Sequence, residues 1–394
     1  HALAHVLARS ADDVVVTPGN PGIPGSTSTP PEEAEADLFV IGPEAPLVDG
    51  LADHLRARGD LVFGPGADGA RLEGSKAWMK DLLAAAGVPT AAHGTFGEPA
   101  GAHAYLESLA PPDVVTTDGL AAGKGVVVTD SLHDARSAVT HYLSGAAFGD
   151  AGRTLVIEEG LVGPEISVLA VCDGRRAVPL SPAQDHKRLL DGDDGPNTGG
   201  MGAYSPVPFA ADGLLDEVMD GFVEPTLAAL RARGIDYRGV LYAGLMLTAD
   251  GPKMLEYNVR FGDPECQVVV PRITEDLAQI LAEAADGRLR TDPSFGSDAM
   301  VGVVAASEGY PTSPRTGDVI EGWEAATAVD GVTVFSAGVA SDDDGRLLTA
   351  GGRVLTVCGR GPDVDSARRV AYDGLSKISW PGIQYRRDIA SQTG

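Results

Sequence analysis

The sequence predicts a chain of α/β and α+β parts: a small N-terminal parallel-sheet domain, a larger core carrying a lid, and a C-terminal α+β module. Three observations predict this. Over the first 72 residues short apolar runs alternate with helical patterns, which argues for a parallel sheet. Apolar runs then pair across tight turns, as antiparallel hairpins do. Beyond Pro293 the pattern changes to short strands closed by one helix. The expected division is residues 1–72, 73–292 with the lid at about 92–160, and 293–394, because 394 residues exceed one ordinary core.

Lys and Arg number 30 against 56 Asp and Glu, a net charge of −26. Such a chain repels nucleic-acid backbones and anionic membranes, so neither is expected as a partner. An anionic substrate would need a local positive pocket. Cys172, Cys266 and Cys358 are far apart with no CxxC spacing, and each reads as a buried free thiol in a reducing compartment. No apolar run nears the roughly 20 residues of a membrane span and no signal peptide precedes the first helix, so the expected location is cytoplasmic.

Taken in order, His1–Arg9 reads as an amphipathic helix with no strand before it, as though the chain began inside an element. Val14–Val16 reads as a short buried strand ending in the turn-rich Thr17–Gly22, and Pro24–Glu35 as a polar surface linker. A strand at Leu38–Ile41, a helix from Val48 to Arg58 and a strand at Leu61–Phe63 continue the alternation. Glu44, ahead of that helix, is by default an acid balancing the helix dipole. Ser75 is a candidate N-cap for a helix to Ala86, with Gly87 as its stop. Trp78, Met79, Leu82 and Leu83 form its apolar stripe, while Lys76 and Lys80 face the other way, toward solvent.

Val114–Val115 and Val126–Val128 flank DGLAAGKG, residues 118–125, giving a strand, a glycine-rich loop and a strand. Its glycines let backbone N–H groups turn toward an anion and Lys124 adds a positive charge, so the loop reads as a phosphate cover or a plain turn. It is not a P-loop, which needs four residues between its glycines and Ser or Thr after the lysine. Thr154–Ile157 closes the lid. Glu158-Glu159-Gly160-Leu161 then suits a hinge whose backbone and acids could hold an adenosine; a simple acidic turn would look similar.

Gln184–Arg188 (QDHKR) sets three basic or near-basic side chains inside an acidic protein, with His186 as one option for a general base. The glycine run of Gly195–Ser205 suits close approach of backbone to ligand. The densest chemistry lies in Tyr242–Glu265. A strand at Leu241–Leu247, a turn at Ala249-Asp250-Gly251 and a return strand at Met254–Arg260 put Glu256, Asn258 and Arg260 on one face and Leu255, Tyr257 and Val259 on the other. Glutamate and asparagine oxygens two residues apart can share Mg2+ with phosphates, and a guanidinium offers a fork to phosphate or carboxylate. A solvated edge strand is the plainer alternative. Farther on, Val301–Ala305, Thr316–Ile320, Val332–Ala337 and Leu347–Val357 read as strands and about Asp365–Ile378 as a helix. Arg353, after two glycines, could reach a substrate phosphate or be an ordinary surface arginine.

Together, Gly42–Leu47, Leu72–Lys76 (LEGSK), DGLAAGKG, Asp185–Arg188, PNTGGMGAYSP at 196–206, Leu241–Met246 and RFGDPE at 260–265 resemble the phosphoribosylamine-glycine ligase family, in that family's order and along nearly the whole chain. The resemblance implies an ATP-grasp core behind a preATP-grasp N-terminal domain, and ATP-dependent joining of glycine to 5-phosphoribosylamine through a glycyl phosphate in purine synthesis. It implies that Lys76, Gly119, Gly123, Lys124 and Gly125 contact ATP phosphates and that Glu158, Glu159, Leu161 and Glu165 hold adenine and ribose. Glu256 and Asn258 would bind Mg2+ or Mn2+. Asp185, Lys187 and Arg260 would act on glycine and the phosphosugar, helped by Asn197, Thr198, Gly200 and Arg353, and by Gly19, Asn20, Gly22 and Glu44 from the first domain. The expected state is a monomer or weak homodimer.

The chain departs from the family pattern in places. The family's first strand and glycine-rich turn, expected before the HALA helix, are missing, and the stretch from Gly22 to Leu38 is shorter. Thr116 stands where the family places a nucleotide-binding lysine, and Ser336 replaces a usual histidine. These departures support a second reading, a nucleotide-binding homologue with weak or no ligase activity.

Overall fold

The computed structural model describes residues 1–119, 125–145 and 153–391. Helix α1 (Ala2–Leu7) buries Ala2 and Val6. The expected strand at Val14–Val16 does not form: only Val16 bridges to Ser26, and Val15 is 55% exposed. Pro18, which has no N–H to donate, stops a ladder there. Strand β1 (Phe39–Val40) pairs in parallel with β2 (Val62–Phe63), the small parallel sheet that the alternation predicts. One helix was expected between them, yet two occur, α2 (Glu44–Val48) and α3 (Leu51–Ala57). Gly50, in the left-handed region at φ 85°, breaks the run. Helices α4 (Ala67–Gly74) and α5 (Lys76–Ala86) follow, α5 capped by Ser75 Oγ accepting the Trp78 N–H and closed by left-handed Gly87.

The lid is a four-stranded antiparallel sheet with two helices on it. Its elements are β3 (His93–Phe96), α6 (Pro99–Leu106), β4 (Asp113–Thr117), β5 (Val126–Thr129), α7 (Leu132–Leu143) and β6 (Leu155–Glu159). Strand order is β3-β6-β4-β5, over a separate core that includes Leu106, Val115, Val139 and Ile157.

The central body runs through β7 (Glu165–Asp173), β8 (Ala177–Pro179), β9 (Gln184–Asp185), β10 (Arg188–Leu190), β11 (Asp194–Asn197), β12 (Gly202–Ser205), α8 (Leu214–Val218), α9 (Glu224–Ala232), β13 (Arg238–Thr248) and β14 (Gly251–Asn258). A four-stranded sheet in the order β14-β13-β7-β8 forms its centre. Helices α10 (Cys266–Val269) and α11 (Leu277–Ala285) complete it. The β13–β14 register shifts between Gly244 and Leu245, which leaves Leu255 as the extra residue of a bulge. Met254 is therefore buried where Leu255 was expected, while Tyr257 and Val259 fill the core as the alternation predicts.

The C-terminal elements are β15 (Ala299–Ala306), α12 (Trp323–Thr327), β16 (Val332–Ser336), β17 (Val339–Ser341), β18 (Leu347–Thr349), β19 (Arg353–Gly361) and α13 (Val364–Leu375). Their main sheet has the order β16-β19-β15-β12-β9 and so takes two strands from the central body. The C-terminal α+β module thus shares its main sheet with the central body. Thr316–Ile320 is no strand, meeting Leu348 through Val319 alone, and the run from Leu347 divides at Gly351-Gly352. All three cysteines are free and buried. Among the described residues no helix is long and apolar enough to cross a membrane.

Candidate active site

A cleft of about 1740 Å³ lies between the lid, the central sheet and the first domain. Glu256, Asn258 and Arg260 project into it together. Asn258 Oδ1 accepts from Arg260 at 3.3 Å, and Lys187 Nζ stands 2.7 Å from Glu165 and 3.8 Å from Glu256. Lys187, Lys76 and Arg260 together hold the Glu256 carboxyl below its ordinary range against its burial. Three cations thus gather in one cleft of an acidic chain, each beside a carboxylate.

Arg260 is itself held by acids. Glu73 lies 3.0 Å away and Glu44 3.4 Å, so Glu44 does reach the cleft. Glu73 Oε2 also accepts the Val259 N–H at 2.8 Å. Burial pushes the Glu73 carboxyl up to about 7, with Arg260 opposing.

The lysines of α5 overturn their expected exposure. Lys76 borders the cleft 2.9 Å from Glu158, and Lys80 is fully buried against the same carboxylate and Thr90. A buried ammonium is tolerated because hydrogen-bonding and ionic partners surround it. Glu158 thereby has its carboxylate committed to lysines, and they hold it below its usual range despite burial. Glu159 Oε1 accepts from Lys253 and from the Ala92 N–H, both at 3.1 Å. Leu161, Glu165, Gly119 and Gly125 line the cleft; Gly123 and Lys124 lie outside the described residues.

Asp185 borders the cleft at the end of β9, where burial pushes it up to about 8 amid Glu265, Glu165 and Glu256, with Lys187 acting the other way. His186 also borders the cleft. Its Nε2 accepts the Ala390 N–H at 3.3 Å, and burial beside Arg386 brings the ring down to about 4. Asn197 and Thr198 line the cleft, Thr198 by a hydroxyl that donates to the Lys187 carbonyl and accepts the Gly200 N–H. Gly200 itself turns away, with no room for a Cβ against Pro264.

Arg353 reaches the cleft edge but is committed to protein. Its guanidinium donates to the Gly199 carbonyl at 2.6 Å, the Asp263 carbonyl at 2.8 Å and the Asp263 carboxylate at 3.0 Å. Arg353 thereby clamps the PNTGG and RFGDPE loops together at the cleft edge. Gly19, Asn20 and Gly22 do not line the cleft. Asn20 Oδ1 instead accepts the Gly22 N–H and the Ser336 hydroxyl, and its Nδ2 donates to the Ala337 carbonyl, which turns that loop onto β16. Thr116 lines the cleft with a buried hydroxyl that has no partner among the described residues.

Sequence reasoning missed Glu73, Lys80, Thr90 and Arg386. The fully buried Arg386 bonds Asp193 at 2.6 Å and Asp388 at 2.7 Å, tying the C-terminal segment to the hairpin of β10 and β11. Only Lys80 carried a signal, its place one turn after Lys76 on the same face. Among the described residues no group of three or more His, Cys, Asp and Glu could hold a metal unaided. Glu256 and Asn258 fit an ion that takes its remaining oxygens from phosphates and water.

Residues 1–73, 74–266 and 300–392 match the N, ATP-grasp (A) and C domains of phosphoribosylglycinamide synthetase. A phosphoribosylamine-glycine ligase of Caulobacter vibrioides is 47% identical over 99% of this chain and 95% of its own. The chain belongs to the phosphoribosylamine-glycine ligase family. The crystal structure of the Thermotoga maritima phosphoribosylamine-glycine ligase superposes with a TM-score of 0.86, at 36% identity, over 99% of this chain and 97% of that one. The biotin carboxylase domain of a Hydrogenobacter thermophilus 2-oxoglutarate carboxylase, solved with MgADP, has a TM-score of 0.67 at 17% identity, covering 89% of this chain and 76% of that one. That second likeness speaks for the ATP-grasp fold alone. The ATP-grasp match, residues 74–266, holds both the lid and the central sheet that wall the cleft.

Proposed function

We propose that this chain joins glycine to 5-phosphoribosylamine with ATP, releasing glycinamide ribonucleotide, ADP and phosphate. The observation that carries this reading is the meeting of Lys76, Lys187 and Arg260 with Glu256 and Asn258 in one cleft of a phosphoribosylamine-glycine ligase. The glycine carboxylate is a poor electrophile until an oxygen takes the terminal phosphoryl group of ATP; the amine then attacks the acyl carbon and phosphate departs. Lys76 and the glycines at 119 and 125 would meet the phosphates, and Lys187 and Arg260 the charge that develops on transfer. Glu159, Leu161 and Glu165 would border the nucleoside, with Glu158 acting through its lysines. Asp185, Asn197 and Thr198 would orient glycine and the phosphosugar. A divalent ion at Glu256 and Asn258 would offset charge on the phosphates, and we assign Mg2+ with Mn2+ as a substitute because both accept hard oxygens.

Small-molecule substrates in the cytoplasm, a monomer or weak homodimer, and division at 1–72, 73–292 and 293–394 complete the reading. The second reading, a weak or silent homologue, gains no support from relatives named as ligases. Release of ADP that requires both glycine and phosphoribosylamine tests the choice. Retained ATP binding without that release would overturn the ligase.

A further inference from the structure

The lysine side of the cleft holds a charge arrangement that the proposed reaction leaves unused. Lys80 follows Lys76 by one turn of α5 and has no exposed surface. Its ammonium meets Glu158 Oε1 and donates to Thr90 Oγ1 at 2.6 Å. The Thr90 hydroxyl gives its own hydrogen to the Met254 carbonyl at 2.6 Å, so Lys80 must be the donor in their contact. Both neighbours of Lys80 therefore accept, as a charged ammonium requires. The other oxygen of Glu158 stands 2.9 Å from Lys76 Nζ. One carboxylate joins two cations, and of the two only Lys76 borders the cleft.

Two positive charges and one negative leave the cluster with a single positive charge. Without Lys80, Lys76 and Glu158 would form a neutral pair. That matters here because Glu159, Glu165 and Glu256 also line the cleft, so a neutral pair would leave their charge offset by Lys187 and Arg260 alone. Charges this poorly solvated act at distances where water would screen them. Through Thr90 the same lysine is tied to β14, the strand that carries Glu256 and Asn258.

We propose that Lys80 is a positioning residue for nucleotide binding: by occupying one oxygen of Glu158 it leaves the charge of Lys76 free for the phosphates of ATP. The proposal rests on the reading of Lys76 as a phosphate contact.

Calorimetric titration of the purified chain with ADP and with AMP, in Mg2+, tests it. K80M should weaken ADP binding by about tenfold and leave AMP nearly unchanged, and K80M/E158Q, which restores one positive charge at Lys76, should recover most of the ADP affinity. A plain structural anchor gives the reverse order, because the double variant removes more buried contacts. Binding by the double variant that is no better than by K80M overturns the proposal, as does wild-type affinity in K80M. Should K80M not fold, E158Q alone decides: ADP binding at least as tight as wild type supports the proposal and a tenfold loss overturns it. K76M separates the two levels. Unchanged affinity in K76M overturns the phosphate-contact reading and the proposal with it, whereas weak K76M beside normal K80M overturns the role of Lys80 alone.

Discussion

Glu73 and Arg260 meet at 3.0 Å, and the other oxygen of the same carboxylate accepts the Val259 N–H at 2.8 Å. The last turn of α4 therefore fixes both the backbone just beyond β14 and the guanidinium proposed to act on the substrates. E73A should leave Arg260 with Glu44 as its remaining acidic partner and lower kcat by on the order of ten- to a hundredfold, as loss of an orienting partner does elsewhere. E73Q, which keeps one acceptor, should lose less. Steady-state rates of ADP release check both.

Glu73 also predicts a pH dependence. Its carboxyl is raised from an ordinary 4.5 to about 7, so the folded chain keeps a proton that the unfolded chain gives up between those values. The stability this contributes is complete below about pH 4.5 and lost as pH rises through about 7. Relative to E73Q, which cannot ionise, the wild type should lose on the order of 3 kcal/mol across that window. Denaturant unfolding of both proteins at pH 5 and pH 8 measures the difference.

E256A and N258A should each raise the divalent ion concentration needed for half-maximal turnover by about tenfold or more, since each removes one of few protein oxygens. Chelation should stop turnover, and added Mg2+ should restore it in the wild type. Turnover in E256A at wild-type Mg2+ demand would remove Glu256 from the metal site.

R353M should strip the shared donor from the Gly199 and Asp263 carbonyls and from the Asp263 carboxylate. The expected loss is about 1–3 kcal/mol of stability, with a larger rise in KM for glycine and phosphoribosylamine than for ATP. Equal rises in all three KM values would argue against a clamp confined to the substrate loops.

Burial pushes all three thiols upward, Cys266 up to about 12. Alkylation of the native chain at pH 7.5 should therefore modify none of Cys172, Cys266 and Cys358, and alkylation in denaturant all three. Mass spectrometry of intact protein reads the count.

Local pattern was enough wherever an element is defined by its neighbours in the chain. The parallel pair β1 and β2, the Ser75 cap and Gly87 stop of α5, the antiparallel pairing of β4 with β5 and the shared face of Glu256, Asn258 and Arg260 were all legible, because period and turn chemistry act over a few residues. Where a single residue breaks the period, reading failed. Gly50 divided a helix, and the bulge at Leu255 exchanged its burial with that of Met254.

The sequence by itself determined the fold class, the family and most of the residues that meet in the cleft. Only the tertiary structure decided which charges there are free. Lys80 looked solvated until Glu158 and Thr90 closed over it, Glu73 was one helix acid among many until Arg260 came to its side, and Arg353 and Asn20 took protein partners from distant loops. The physical reason is that a charge or amide takes its role from the groups within about 3–4 Å, and for these residues the deciding partners are remote in sequence.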